Sequence, residues 1–329
     1  VIRDQLAGSL LGQALGDALG FVVEAEGPDV AATYVEQWLR TGRAGQRSHR
    51  HYPFGQYSDD TQLARELLLS FEERRGWDPA AFAARLSQLF HERRDVGAGK
   101  GTRSAALRLL MGVPWSESGT AAPYAGNGSA MRAGPLGLLF KDLGAITRAA
   151  RQQSRITHLD PRCAAGAAVV ASAVWHASKR EPLNRDLLLT ELAACAELDD
   201  RSVADAIRDL AEWVALSPVD AANEVHARGL DPAHPEWQGI SAFITPSVLW
   251  SLYAFLRSPD DYWETICTAI WVGGDTDTMA AIAGAISGAR VGASGLPADL
   301  VALLTDQGQW GALELTRLAH SCADLVEKR

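Results

Sequence analysis

Apolar residues recur at three- and four-residue spacing in IRDQLAGSLLGQALGDALGFVVEA (2–25), TQLARELLLSFEERR (61–75), DPAAFAARLSQLFHERR (78–94), DPRCAAGAAVVASAVWHASK (160–179), SVADAIRDLAEWVALS (202–217) and PSVLWSLYAFLRS (246–258). That spacing predicts helices with one buried stripe. Asp78 before Pro79, Asp160 before Pro161 and Thr245 before Pro246 each put an N-cap residue type ahead of a proline suited to a first helical turn. No alternating apolar–polar run predicts a strand. The fold class is all-α.

Three loops interrupt the helices, at 41–57, 113–128 and 225–243, and they are rich in Gly, Pro and aromatic residues. No spacer, repeat or composition shift divides the chain, so 1–329 is expected to form one domain with these loops around a substrate mouth. Gly8, Gly12, Gly16 and Gly20 form one stripe, and Gly284, Gly288 and Gly292 form another. Each interior glycine costs about 1 kcal/mol relative to alanine, so a stripe calls for close approach of a second backbone. Either the two stripes face each other, bringing Glu24 towards Asp275 and Asp277, or each meets a different helix.

The composition is that of a globular chain: 329 residues, 47% hydrophobic, with a net charge of −9. The acidic balance argues against a nucleic-acid backbone as partner. Four scattered cysteines (Cys163, Cys195, Cys267, Cys322) without a CxxC suggest neither disulfides nor a zinc ribbon, and a reduced, cytoplasmic compartment is expected. The apolar stretch Ala164 to Trp175 is shorter than the ~18 residues of a membrane span. No signal peptide is visible.

Two acidic clusters carry the candidate chemistry. In SDDT (58–61), Ser58 is a good N-cap type, and Asp59 and Asp60 fall where a helix dipole favours negative charge. Capping alone therefore accounts equally well for this cluster. In GGDTDT (273–278), Asp275 and Asp277 would point about 200° apart if both were helical. Gly273 and Gly274 free the backbone, the helix is expected to begin at Asp277 or Thr278, and a corner can then aim both carboxylates at one point. A donor set of carboxylates and hydroxyls without Cys or His suits Mg²⁺ or Mn²⁺, with Ca²⁺ a weaker fit. Two such ions would neutralise carboxylates that otherwise repel one another.

At these residues the chain resembles the ADP-ribosylglycohydrolase family. The resemblance runs in family order through GSLLGQALGDALGFVVE, SDDTQL, GNGSAMRAGPLG, THLDP and GGDTDTMAAIAGAISGA. It implies a compact, single-domain orthogonal bundle of helices with two Mg²⁺ or Mn²⁺ in a central cleft, removing ADP-ribose from a modified side chain. It further implies metal contacts from Ser58 or its carbonyl, Asp59, Asp60, Asp275, Asp277 and Thr278. Glu24 matches an acidic residue assigned to metal or substrate contact and catalysis, with Asp59 or Asp60 as the other candidate bases. Substrate contacts fall on Gly126, Asn127, Gly128, Ser129, Met131, Arg132 and His158. GNGSAMR is also, physically, a glycine-rich turn feeding a helix N-terminus, where N–H groups favour phosphate oxygens.

GAGKGTRSA (97–105) lies where the family has another substrate loop, whereas 43–57 matches no family feature and is expected to be a solvated basic loop. Phe243, Tyr124 and Tyr57 are the candidates for stacking on adenine. The implied acceptor is ADP-ribosyl-arginine on protein. Serine, nucleobase and free acyl-ADP-ribose linkages remain open, as does a non-catalytic relative that keeps the fold.

Overall fold

A computed structural model describes residues 2–229 and 238–328. Its α-helices are α1 (Ile2–Gly20), α2 (Pro28–Tyr34), α3 (Asp59–Arg74), α4 (Pro79–His91), α5 (Lys100–Leu110), α6 (Leu143–Thr157), α7 (Pro161–Ser178), α8 (Arg185–Glu197), α9 (Arg201–Trp213), α10 (Pro218–Arg228), α11 (Ile244–Arg257), α12 (Tyr262–Trp271), α13 (Thr276–Val291), α14 (Ala298–Val301) and α15 (Ala312–Glu327). Among the described residues there is no strand, only isolated bridges. The all-α expectation holds.

The two glycine stripes face each other. A β-carbon on Gly8 would lie 2.3 Å from the Gly288 carbonyl oxygen, one on Gly12 2.5 Å from that of Gly284, and one on Gly16 2.1 Å from that of Ala280. Helices α1 and α13 are therefore antiparallel and touch backbone to backbone, a separation no side chain allows. The end of α1 thereby meets the start of α13.

A second four-residue stripe on α1 is polar and buried: Gln5, Ser9, Gln13 and Asp17. Ser9 donates to the Ala285 carbonyl at 3.0 Å, and Gln13 Nε2 donates to the carbonyls of Asp60 (3.0 Å) and Met131 (3.1 Å). Gln5 donates to the Ser178 carbonyl. The segment Ile2–Val23 is long and apolar enough to cross a membrane by composition, but 94% of its most apolar 18 residues are packed inside the protein. It is the central core helix, and the side-chain donors of its polar stripe find their partners in the layers around it.

Asp78 and Asp160 cap α4 and α7 as predicted, Asp78 accepting the N–H groups of Ala80 and Ala81 and Asp160 that of Arg162. Thr245 does not cap. Helix α11 starts earlier, at Ile244, because residues 242–244 are tied to 125–127 by Asn127 N–H to Ala242 O (3.0 Å) and Ile244 N–H to Ala125 O (2.8 Å). Helix α13 likewise begins at Thr276, with Asp275 at its N-cap position. Residues 225–228 complete α10 rather than opening a loop, and 230–237 of that predicted loop lie outside the described residues. All four cysteines are buried and unpaired.

Candidate active site

Helix α3 presents the first acidic pair. The Ser58 hydroxyl caps it, accepting the Asp60 N–H at 3.3 Å and donating to Asp60 Oδ2 at 3.1 Å. The start of the helix is fixed from below by Asp17. Its carboxylate accepts the Ser58 N–H (2.8 Å), the Thr61 N–H (3.0 Å) and the Thr61 hydroxyl (2.6 Å). From the side, the Asp59 N–H donates to the Val96 carbonyl at 2.7 Å, while Gln62 accepts the Val96 N–H and donates to the Arg94 carbonyl. Asp59 and Asp60 thus stand on a helix end held from two directions.

The second pair hangs on the Gly273–Gly274 corner. Both glycines have positive φ (72° and 88°), where other residues are strained, and a β-carbon on Gly274 would meet the Ile240 carbonyl oxygen at 2.1 Å. The corner is laced to the turn after α1. The Ala25 N–H donates to Gly274 O at 2.8 Å, and the Gly274 N–H donates to Glu26 O at 2.8 Å. This exchange of backbone bonds seats Glu24 beside Asp275. One ligand oxygen each from Glu24, Asp275 and Asp277 lies within 4.8 Å of the others.

The two acidic stretches meet. Glu24, Asp59, Asp60, Asp275, Asp277 and Thr278 line one cleft of about 200 Å³. Burial and mutual repulsion push the carboxyls of Asp59, Asp60 and Asp277 well above the usual range. Glu24 rises to about 7, first through burial and then through the charges of Asp275 and Asp17. Burial raises Asp275 too, against hydrogen bonds from Asn127, Asp277 and Thr278. Asp59 Oδ2, Asp60 Oδ1 and Asp277 Oδ1 are buried without a hydrogen-bond partner. Orphaned carboxylate oxygens on residues that line one cleft form a donor set that fits hard divalent cations.

The opposite wall is made of small residues. Gly97, Gly99, Gly101 and Thr102 line the cleft, so the loop at 97–105 reaches the site. So do Gly126, Asn127, Gly128, Met131 and His158. Asn127 Nδ2 donates to Asp275 Oδ2 and to the Ser247 hydroxyl (2.9 Å), joining the two walls. Of the three aromatic candidates Tyr124 lines the cleft, where its ring stacks on His158 with centroids 5.8 Å apart. Tyr57 is fully buried and donates to the Trp310 carbonyl, and Phe243 lies under the Arg162 guanidinium.

Three expected contacts point elsewhere. Ser58 is wholly buried, with its hydroxyl used in the cap and its carbonyl accepting the Gln62 N–H at 3.2 Å. The Ser129 hydroxyl donates to the Cys163 carbonyl and its own carbonyl accepts from Gln153. Arg132 is fully buried behind the loop. GNGSAMR feeds no α-helix: a 3₁₀ turn at Asn127–Ser129 is followed by another at Gly134–Leu138. The 43–57 loop is not simply solvated, because the His49 ring stacks on Phe21 at 4.1 Å and its Nδ1–H donates to the Phe21 carbonyl at 2.6 Å.

Asp17 and Gln13 are the residues the motifs did not single out. The signal was their place in the polar stripe of an otherwise apolar, buried helix, where an uncompensated carboxylate is costly.

Comparison with known proteins follows the same outline. The sequence profile described as ADP-ribosylglycohydrolase matches residues 1–329. The chain is 29% identical to human ADP-ribosylhydrolase ARH3 over 327 residues, covering 88% of this chain and 86% of that protein. It is 27% identical to the ADP-ribosyl-[dinitrogen reductase] glycohydrolase of Rhodospirillum rubrum, covering 92% of this chain and 91% of that one. A solved structure described as an ADP-ribosylglycohydrolase-related protein complex superposes with a TM-score of 0.73 at 25% identity, covering 99% of each chain.

Proposed function

The chain belongs to the ADP-ribosylglycohydrolase family, and on that premise we propose that it hydrolyses ADP-ribosyl-arginine on protein in the cleft between α3 and α13, with two divalent cations. The observation that carries this is the convergence of five carboxylates, four of them buried and Glu24 half-buried, three of which have oxygens without a partner. Glu24, Asp59, Asp60, Asp275, Asp277 and Thr278 would hold the cations. Bound there, Mg²⁺ or Mn²⁺ would orient ribose hydroxyls and lower the pKa of a water towards neutrality.

Glu24 is the general base in this scheme, taking the proton of the attacking water. The carboxylates stabilise positive charge developing at the anomeric carbon in an oxocarbenium-like state. Five carboxylates against two dications leave one net negative charge, which favours a cationic guanidinium leaving group over a neutral one.

A second reading, an oxygen-linked acceptor such as serine, is favoured by Arg50, whose positive charge acts on Glu24 and offsets that excess. The test is a panel of arginine-linked, serine-linked, nucleobase-linked and free acyl-ADP-ribose substrates with Mg²⁺, Mn²⁺ or chelator. Fastest release from arginine with either metal is expected. Preference for serine selects the second reading, and turnover undiminished by chelator overturns both.

A further inference from the structure

Arg132, which the sequence pattern assigns to the ligand, has no carboxylate partner in the structure, among the described residues. Its donors meet neutral oxygens instead: Nε to Gln153 Oε1 (2.7 Å), Nη1 to the Gly128 carbonyl (2.7 Å), and Nη2 to the Gln153 carbonyl (3.1 Å) and Thr157 Oγ1 (2.7 Å). Its guanidinium carbon lies 5.5 Å from the Phe82 ring centroid, on the side away from solvent. A cation set this deep against carbonyls holds the fold of the 126–132 loop to the end of α6.

Thr157 gives the arrangement its chemical meaning. The same hydroxyl oxygen that receives Arg132 lies 2.8 Å from His158 Nδ1. Arginine can only donate, so the hydroxyl proton has to point away from it, and His158 Nδ1 is the acceptor in reach. If Nδ1 carried a hydrogen, two N–H groups would converge on one oxygen and the hydroxyl proton would be buried without a partner, an arrangement folded proteins avoid. In a neutral imidazole the hydrogen then sits on Nε2.

The surroundings let that hydrogen matter. A β-carbon on Gly126 would lie 3.2 Å from His158 Nε2, and one on Gly128 3.1 Å from Cε1, so both glycines keep this edge of the ring open where it borders the cleft. Tyr124 holds the ring plane from one face, at an interplanar angle of 19°. Burial and the charge of Arg132 lower the imidazole pKa to about 3, so the ring is neutral at working pH and its tautomer alone decides whether it donates or accepts.

We propose that Arg132 is a positioning residue that acts through Thr157 to lock His158 in the Nε2–H tautomer, presenting a hydrogen-bond donor to an oxygen of the ligand's ribose–diphosphate. Arg132 touches no substrate in this role. The identity of the ligand rests on the function proposed above; the tautomer does not.

The experiment therefore has two arms. Nitrogen-15 long-range correlation spectra of the ligand-free protein, with His158 assigned by its loss in His158→Gln, report which ring nitrogen carries hydrogen. Calorimetry with ADP-ribose and Mg²⁺ reports binding. The expected wild-type spectrum shows hydrogen on Nε2. Thr157→Val, which keeps the shape and removes the hydroxyl, is expected to mix the tautomers and weaken ADP-ribose about tenfold, and Thr157→Ser to restore both. Hydrogen on Nδ1 in the wild type overturns the proposal whatever binds, and decides the matter even if Thr157→Val does not fold. A folded Thr157→Val with wild-type tautomer and affinity overturns it as well. A shifted tautomer with no ADP-ribose binding by either protein keeps the lock and removes the ligand.

Discussion

Gly20 and Thr276 meet backbone to backbone: a β-carbon on Gly20 would lie 2.3 Å from the Thr276 carbonyl oxygen, and the Thr276 hydroxyl donates to the Gly20 carbonyl at 2.8 Å. This contact is the last rung of the α1–α13 pairing and lies directly below Glu24 and Asp275. Packing of the core and placement of the carboxylates are therefore one structural event. A wedge anywhere along the stripe should disturb both.

Gly16→Ala supplies the wedge. Its methyl group would lie 2.1 Å from the Ala280 carbonyl oxygen, which belongs to backbone and has no rotamer to retreat into. Overpacking of this kind costs about 3 kcal/mol. Gly45→Ala is the control, because its nearest neighbours are side-chain atoms 3.9–4.0 Å away and its effect should stay within about 0.5 kcal/mol. Urea denaturation of the two variants reads the difference. Equal stabilities would remove the close-approach account of the stripe.

Asp17→Asn tests the support beneath α3. One carboxylate oxygen accepts from Ser58 N–H and the other from the Thr61 N–H and hydroxyl. An amide presents an NH₂ to one of those sides, setting donor against donor inside a sealed site. A stability loss of about 2 kcal/mol is expected, with Mg²⁺ affinity falling about tenfold because Asp59 and Asp60 lose their seat. Calorimetric titration with unchanged metal affinity would reduce Asp17 to a packing residue.

How much of this is legible in sequence follows from the range of each interaction. Interior glycines at 8, 12, 16 and 20 are unfavourable in any isolated helix, so the need for a partner backbone can be read locally, and the second stripe names the partner. The Gly273–Gly274 pair is legible for the same reason, as a corner no other residue tolerates. Asp17 is not, because its role depends on N–H groups 41 and 44 residues away. Thr245 reads as a cap only until the 125–127 segment claims the backbone of 242–244. Arg132 reads as a ligand residue because a motif records which residue is present and not which way it faces.

Metal binding should depend on pH with a definite sign. In the metal-free fold Glu24 titrates at about 7 rather than 4.5, so its protonated form is the one the fold stabilises. That contribution is complete below 4.5 and is lost as pH rises through 7. A divalent cation replaces the proton, so the rise in melting temperature produced by 5 mM-scale Mg²⁺ or Mn²⁺, taken as ~5 mM, should grow steadily from acid to mildly alkaline pH. An increment that shrinks over that range contradicts the raised pKa. Glu24→Gln should remove only the share of the dependence that Glu24 carries, since glutamine does not titrate while the raised carboxyls of Asp59, Asp60 and Asp277 still do.

Asp277→Asn separates a metal ligand from a structural residue. Asp277 is buried, has one oxygen without a partner, and is repelled by Glu24, Asp275, Asp60 and Asp17. A residue kept for stability would not be placed so. Replacing the charge with an isosteric amide relieves repulsion in the metal-free protein, so its melting temperature at pH 8, about four pH units above the usual carboxylate range, should match or exceed that of the wild type. The cost should fall on function: the metal-induced rise in melting temperature should vanish and turnover of an ADP-ribosyl substrate should drop at least about a thousandfold, the scale of losing several kcal/mol of charge stabilisation. A variant that unfolds more readily than wild type without metal, yet retains its metal response, would show that this carboxylate holds the corner together and that the cations are held elsewhere.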